Sequence, residues 1–169
     1  KGWVAYVAPT RALVSQITRR LRRDFGPFKV EVEQLTAAVE TDSFEDILLT
    51  TDDDRPSFHV LVATPEKLNF VIRNKKVKRP LALIVMDEAH NIEDEDRGFR
   101  IELLLATVKR DRPTARFLLL MPHVPNAREL TQWLAPEGGK TISLGTTAWQ
   151  PNERAVGIFS TVPAEGRGN

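Results

Sequence analysis

The run Leu81-Ala82-Leu83-Ile84-Val85-Met86, followed at once by Asp87-Glu88-Ala89-His90, constrains the fold more than any other stretch of the chain. An unbroken apolar run of strand length reads as a β-strand buried on both faces, the pattern of a parallel sheet. Two carboxylates at its end then stand at the carboxyl edge of that sheet, where open α/β folds bind their ligands. In phosphate chemistry the first carboxylate of such a pair holds Mg²⁺, usually through water. The second can orient or deprotonate an attacking water. The same residues also suit a plain acidic helix start after a strand, with Asp87 as the N-cap. The remainder of the chain decides between them.

Further buried strands are expected at Val4–Ala8, His59–Ala63 and Phe117–Met121, each aliphatic and ending at a Pro, Thr or acidic residue. Between them lie stretches with helical spacing: Arg11–Phe25, Pro65–Asn74, Arg97–Arg110 and Ala127–Leu134. In the first of these Leu13, Ile17 and Leu21 recur every fourth residue, leaving Arg19, Arg20, Arg22 and Arg23 mainly to solvent. Strands alternating with helices give an α/β class, a mostly parallel sheet with helices on both faces. Val30–Leu35 and Thr141–Leu144 are further candidate strands. Thr41–Pro56 reads as a short helix and then a loop through Asp52-Asp53-Asp54. With 169 residues and 41% apolar content there is core enough for one domain, placed at 1–160, with 161–169 a frayed tail.

Composition removes several function classes. A net charge of +1 gives no global pull toward nucleic acid, so such binding must come from local patches. Two basic clusters qualify, Arg19 to Arg23 and Arg73 to Arg79, although solvated faces and loops explain them equally well. The chain has no cysteine, hence no disulfide framework or thiolate metal site, which suits an intracellular, cytoplasmic or nuclear setting. No apolar run approaches the ~20 residues that span a bilayer, so no membrane association is expected. Lys1-Gly2 leads directly into an apolar strand without an initiator Met, as in a piece of a longer protein.

The strand ends spell a series in order. Ala8-Pro9-Thr10-Arg11-Ala12-Leu13 resembles motif Ia of the superfamily 2 helicases, and Ala63-Thr64-Pro65-Glu66-Lys67-Leu68 resembles motif Ib. Asp87-Glu88-Ala89-His90 resembles motif II, the Walker B box in its DEAH spelling. Leu118 to Ala127 occupies the place of motif III. Arg97-Gly98 with Glu102, and Pro125-Asn126-Ala127 through Trp133-Leu134, are similar to the Ski-like branch of DExH helicases, whose members act on RNA or on DNA.

The resemblance implies a partial RecA-like domain of an ATP-dependent helicase or translocase. Asp87 would help hold Mg²⁺ on ATP, Glu88 would polarise the hydrolytic water, and His90 would link the nucleotide site to a second domain or to motif III. Pro9, Thr10 and Arg11, with Thr64, Pro65 and Lys67, would grip the backbone of a single strand, RNA or DNA. Each set stands at a helix start: Thr10 and the amides beyond Pro9 suit a phosphate oxygen, Thr64 would cap and Pro65 would take the first helical position. A zinc role for His90 is poor, since neither His59 nor His123 stands at ligand spacing from it.

Departures from the family pattern shape the remaining expectations. The Gly-rich Lys-Thr loop that cradles ATP phosphates is expected before motif Ia and is not in the sequence. Gly138-Gly139-Lys140-Thr141 is a decoy, because Leu134 stands where the loop's first glycine belongs and a turn fits better. The chain alone is therefore expected to be inactive, its partners being that P-loop segment and a second RecA-like domain. Without the P-loop strand, Phe117–Met121 would keep an open apolar edge and the chain would self-associate. Met121-Pro122-His123 stands where the family has Ser-Ala-Thr, so coupling of hydrolysis to strand separation would be altered. Leu35-Thr36-Ala37-Ala38 stands where many relatives have Thr-Gly-Asp, which puts a strand-guiding contact there in doubt. The alternative is a degenerate helicase-like module that binds nucleic acid or protein without turnover.

Overall fold

Among the described residues five strands run parallel in one sheet, β1 (Trp3–Val7), β2 (Val32–Leu35), β3 (Val60–Ala63), β4 (Leu81–Met86) and β5 (Arg116–Leu119), in the order β2-β3-β1-β4-β5. The helices are α1 (Arg11–Phe25), α2 (Pro65–Arg73), α3 (Gly98–Asp111) and α4 (Ala127–Leu134). A computed structural model of the protein describes residues 2–35, 58–74, 77–93, 98–122, 126–135 and 139–142. The expected Thr41–Pro56 helix, Thr36 to Ala38, the tail from Thr161 and His123 lie outside the described residues.

Side-chain alternation along the strands sorts the apolar residues onto two faces. Trp3, Ala5 and Val7 of β1 join Leu61, Ile84, Met86 and the inner sides of α2 and α3 in the larger core. Trp3 is fully buried; its indole N–H donates to the Arg79 carbonyl at 3.2 Å, and its ring meets Phe58 edge-on at 5.6 Å. The indole is thereby buried without an orphaned donor. On the other face Val4, Tyr6, Val32, Val60 and Val62 pack with Leu13, Val14, Ile17 and Leu21 of α1.

α1 covers the β2 and β3 end of its face. Thr18, 1% exposed, satisfies its hydroxyl by donating to the Val14 carbonyl at 2.8 Å. Its basic face is exposed as expected, and from it Arg22 donates to the Val32 carbonyl at 2.8 Å and pairs with Glu33 at 3.2 Å. Arg20 and Arg23 both pair with Asp24.

β4 departs from the expectation of burial on both faces. Leu81, Ile84 and Met86 are buried, but Ala82 is exposed and Leu83 only half-buried. The reason is the placement of α1: among the described residues no helix covers the same face of β4 and β5. Leu118 and Leu120 are accordingly 46% and 40% exposed there. β5 ends two residues earlier than expected. The Leu120 amide still bonds the Met86 carbonyl at 2.9 Å. Beyond it, Pro122 has no N–H to continue a ladder. Thr141 and Ile142 form no strand, and 143–144 lie outside the described residues. No helix among the described residues is long and apolar enough to cross a membrane.

Candidate functional site

Strand order, rather than chain order, assembles the candidate residues. Val7 stands in register with Ala63 on one side and Met86 on the other, and Met86 with Leu119. The loops after β3, β1, β4 and β5 therefore follow one another along the carboxyl edge of the sheet. Thr64-Pro65, Pro9-Thr10, Asp87-Glu88 and Leu120-Met121 stand at neighbouring strand ends. Backbone bonds lace these ends together: Ala8 N–H to Ala63 O at 3.1 Å, Asp87 N–H to Val7 O at 2.9 Å and Ala89 N–H to Leu120 O at 3.0 Å.

The turn after β4 is not a helix cap. Asp87 Oδ1 accepts the amide of the next residue, Glu88, at 3.0 Å, and a short 3-10 turn follows at Ala89–Glu93. Glu88 has φ 52°, the left-handed region that a non-glycine residue enters at a cost. Asn91 supports this conformation twice, its amide and Nδ2 both donating to the Glu88 carbonyl at 3.0 and 2.7 Å. The Glu88 carboxylate is exposed, and His90 Nδ1 lies 3.2 Å from its Oε2, a contact that becomes an ion pair on protonation.

Tyr6 is the residue that sequence reasoning missed. Its hydroxyl donates to Asp87 Oδ2 at 3.2 Å across 81 positions of sequence. Partial burial, then the Asp87 charge and the hydrogen bond to it, push the phenol up to about 12, with Arg20 acting slightly against them. Alternation along β1 puts Tyr6 on the face opposite Trp3 and Val7. Only the pairing of β1 with β4 puts it beside Asp87, and no sequence signal carries that.

At the α1 start, Thr10 is the N-cap as expected, its Oγ1 accepting the Leu13 amide at 3.3 Å. Arg11 is exposed and Pro9 half-buried. At the α2 start, Pro65 takes the first helical position, but Thr64 makes no side-chain cap. Thr64 is buried, and its hydroxyl bonds toward the Glu66 carboxylate instead. Burial pushes that carboxyl up. Hydrogen bonds from Arg100, its own backbone and Thr64, with the Arg100 charge, outweigh burial and hold it below its ordinary range. The Arg100–Glu66 pair, at 2.8 Å, ties the start of α2 to α3. Lys67 is half-buried on the first turn.

The motif III position and the second basic cluster are in part structural. Met121 packs against the larger core and Pro122 is exposed. His90 touches Glu88, and the link from this turn to β5 runs through the Ala89 and Leu120 backbone. Arg79, half-buried, donates to the Phe58 carbonyl at 2.7 Å and lies 5.1 Å from that ring's centre, so it packs against the core's edge. His59 Nδ1 accepts the Glu31 amide at 3.0 Å. Among the described residues no group of three or more His, Asp or Glu could hold a metal by itself. The donor set at Asp87 and Glu88 is all oxygen and partly solvated. That fits a Mg²⁺ carried largely by phosphate and water, not one caged by protein.

Along the edge of β5 that pairs with no strand among the described residues runs a groove of about 930 Å³, lined by Arg116 to Met121, Thr131, Leu134, Ala135 and Gly139 to Ile142. Lys140 and Thr141 line this groove, and the described residues 139–142 are not helical.

Residues 1–125 match the family model described as DEAD/DEAH box helicase. The ATP-dependent DNA helicase Hel308 of Thermococcus kodakarensis is 31% identical over 163 residues, which cover 94% of this chain and 12% of that protein. The RQC trigger complex helicase SLH1 of Saccharomyces cerevisiae is 32% identical over 139 residues, covering 78% and 7%. The probable ATP-dependent DNA helicase HFM1 of Homo sapiens is 26% identical over 147 residues, covering 78% and 10%. The chain thus spans about a tenth of the length of these relatives. Among solved structures, the Mycobacterium smegmatis helicase Lhr bound to ssDNA and AMP-PNP matches with a TM-score of 0.59 at 20% identity, over 79% of this chain and 18% of that one. That likeness shows a RecA-like helicase fold.

Proposed function

The chain belongs to the DEAD/DEAH box helicase family, and we propose that it is the part of an ATP-dependent helicase or translocase that carries motifs Ia to III. The observation that carries this reading is the alignment of Thr64, Thr10, Asp87 and Leu120 along one sheet edge, laced by backbone hydrogen bonds. Asp87, with lone pairs to spare beyond its two donors, would hold Mg²⁺ on ATP through water. Bound there, Mg²⁺ neutralises charge developing on the transferred phosphoryl group. Glu88, whose exposed carboxylate projects from a left-handed turn, would orient and deprotonate the attacking water, and His90, whose Nδ1 lies beside Glu88 Oε2, would link this site to a second domain or to the motif III position. Arg11 and the α1 start, with Lys67 and the α2 start, would take phosphates of a single strand. The names of Hel308 and HFM1 favour DNA for that strand.

Met121-Pro122-His123 at the motif III position would alter the coupling of hydrolysis to strand separation, while the backbone bond from Ala89 N–H to the Leu120 carbonyl ties the motif II turn to β5. The chain by itself, which has no Gly-x-Gly-Lys-Thr loop, would not turn over ATP. Its β5 edge, with the apolar groove alongside, would take another extended strand, and the isolated chain would self-associate through it. Light scattering checks this: a clean monomer at high concentration with a cooperative melt counts against it.

The decisive experiment is Mg²⁺-ATP hydrolysis by the full-length protein, with and without single-stranded RNA or DNA, beside Glu88→Gln. Turnover stimulated by one polymer and lost in the variant supports a motor. Absent turnover with intact strand binding supports the second reading, a binding module derived from a helicase, for which Met121-Pro122 at the motif III position is the specific observation.

A further inference from the structure

We propose that Tyr6 is a positioning residue for Asp87, its phenol fixing the carboxylate in the orientation that receives a magnesium-bound water. This rests on the reading of Asp87 as the carboxylate of Mg²⁺-ATP.

The Asp87 main chain is set from β1, through its amide to the Val7 carbonyl at 2.9 Å. A backbone bond leaves χ1 and χ2 of the side chain free to turn. Two donors remove that freedom. The Glu88 amide takes Oδ1 at 3.0 Å and the Tyr6 hydroxyl takes Oδ2 at 3.2 Å. Each oxygen keeps a further lone pair, so the carboxylate is oriented but not saturated.

The geometry that allows this is particular to the strand order. Tyr6 stands in register with Val85, and Asp87 is two residues beyond Val85 on the same face. The ring therefore runs diagonally along β4 and delivers its hydroxyl at the sheet's edge. Tyr6 itself is wedged in the smaller core under α1, against the cluster of Val14, Val60 and Val62, so its hydroxyl is held in place by packing. A donor on a rigid strand that orients a metal-facing carboxylate sets metal affinity without touching the metal.

The test uses the full-length protein and a fluorescent, non-hydrolysed ATP analogue, titrated across a Mg²⁺ series. Tyr6→Phe, which keeps the ring and removes the donor, is expected to raise the Mg²⁺ concentration for half-maximal nucleotide binding about tenfold. Nucleotide affinity without metal should stay at the wild-type value. On an Asp87→Asn background, Tyr6→Phe should add nothing further. Three outcomes overturn the proposal. If Tyr6→Phe follows the wild-type Mg²⁺ curve while Asp87→Asn departs from it, Tyr6 does not position the carboxylate, and the reading of Asp87 survives. If Tyr6→Phe weakens metal-free binding by the same factor, its role is general packing. If Asp87→Asn itself leaves the Mg²⁺ curve unmoved, the reading of Asp87 fails and the proposal with it.

Discussion

The two faces of the sheet at β4 are built from the same apolar run, yet they do different things. Leu81, Ile84 and Met86 point into the core under α2 and α3 and are at most 1% exposed. Leu83 and Val85, one residue out of phase, share their face with Tyr6 and the exposed Leu118. The first face is closed by helices and contributes stability. The second buries Val85 but leaves Leu83 half-buried and Leu118 exposed, and it is the face onto which Asp87 turns its carboxylate. Burial there would seal off the carboxylate proposed to face Mg²⁺-ATP. From Leu83 onward the strand separates its two faces by alternation, and an irregularity in its pairing with β1 near Trp3 keeps Leu81 on the core side.

The largest expected effect breaks the chemical half of that comparison. Glu88→Gln should lower nucleic-acid-stimulated ATP hydrolysis by the full-length protein by about 10²–10⁴-fold, the usual worth of a general base, with nucleotide binding retained. A steady-state rate within a few-fold of wild type would place the chemistry elsewhere.

Next comes the closed face. Trp3→Ala should cost about 3–5 kcal/mol in denaturant unfolding, since it empties a fully buried site and orphans the Arg79 carbonyl. Leu118→Ala, on the open face, should cost less than about 1 kcal/mol. Equal losses at the two positions would show that the open face is covered in solution. Leu118→Glu sharpens the same point: on light scattering it should abolish self-association of the isolated chain while its melt stays near that of wild type.

A smaller effect concerns pH. Tyr6 is the chain's one tyrosine, so phenolate absorbance reports it alone. Its titration should centre near 12 and move down in Asp87→Asn. A phenol raised in the folded state stabilises fully below its unfolded value of about 10 and loses that contribution as pH rises through 12. The stability difference between wild type and Tyr6→Phe should narrow over that window.

The smallest effect belongs to Arg100→Ala. Its exposed pair with Glu66 should be worth no more than about 1 kcal/mol. Because the Glu66 carboxyl is depressed, that contribution is fully present above the ordinary carboxylate value and is lost as pH falls below it through the depressed one. A pH series of melts compares the two proteins.

Periodicity located α1 and α4 to the residue and β4 as well, because strong apolar spacing and a capping Thr10 or a following acidic pair mark their limits. β5 came out shorter, where Pro122 withdraws a donor, and Thr64 proved buried instead of capping. Arg22 is exposed as expected, but its bond to the Val32 carbonyl, which ties α1 to β2, depends on tertiary packing.

The linear chain determined the class of fold, the four helix registers and the residue types at each strand end, since these rest on local spacing and turn chemistry. Tertiary structure alone decided that β1 lies between β3 and β4. That order brings the Thr64, Thr10, Asp87 and Leu120 loops side by side and sets Tyr6 against Asp87, because contacts across 81 positions depend on strand pairing that no local pattern encodes. It also decided which half of an all-apolar strand is closed, because burial belongs to the element that packs against a face and not to the residues on it.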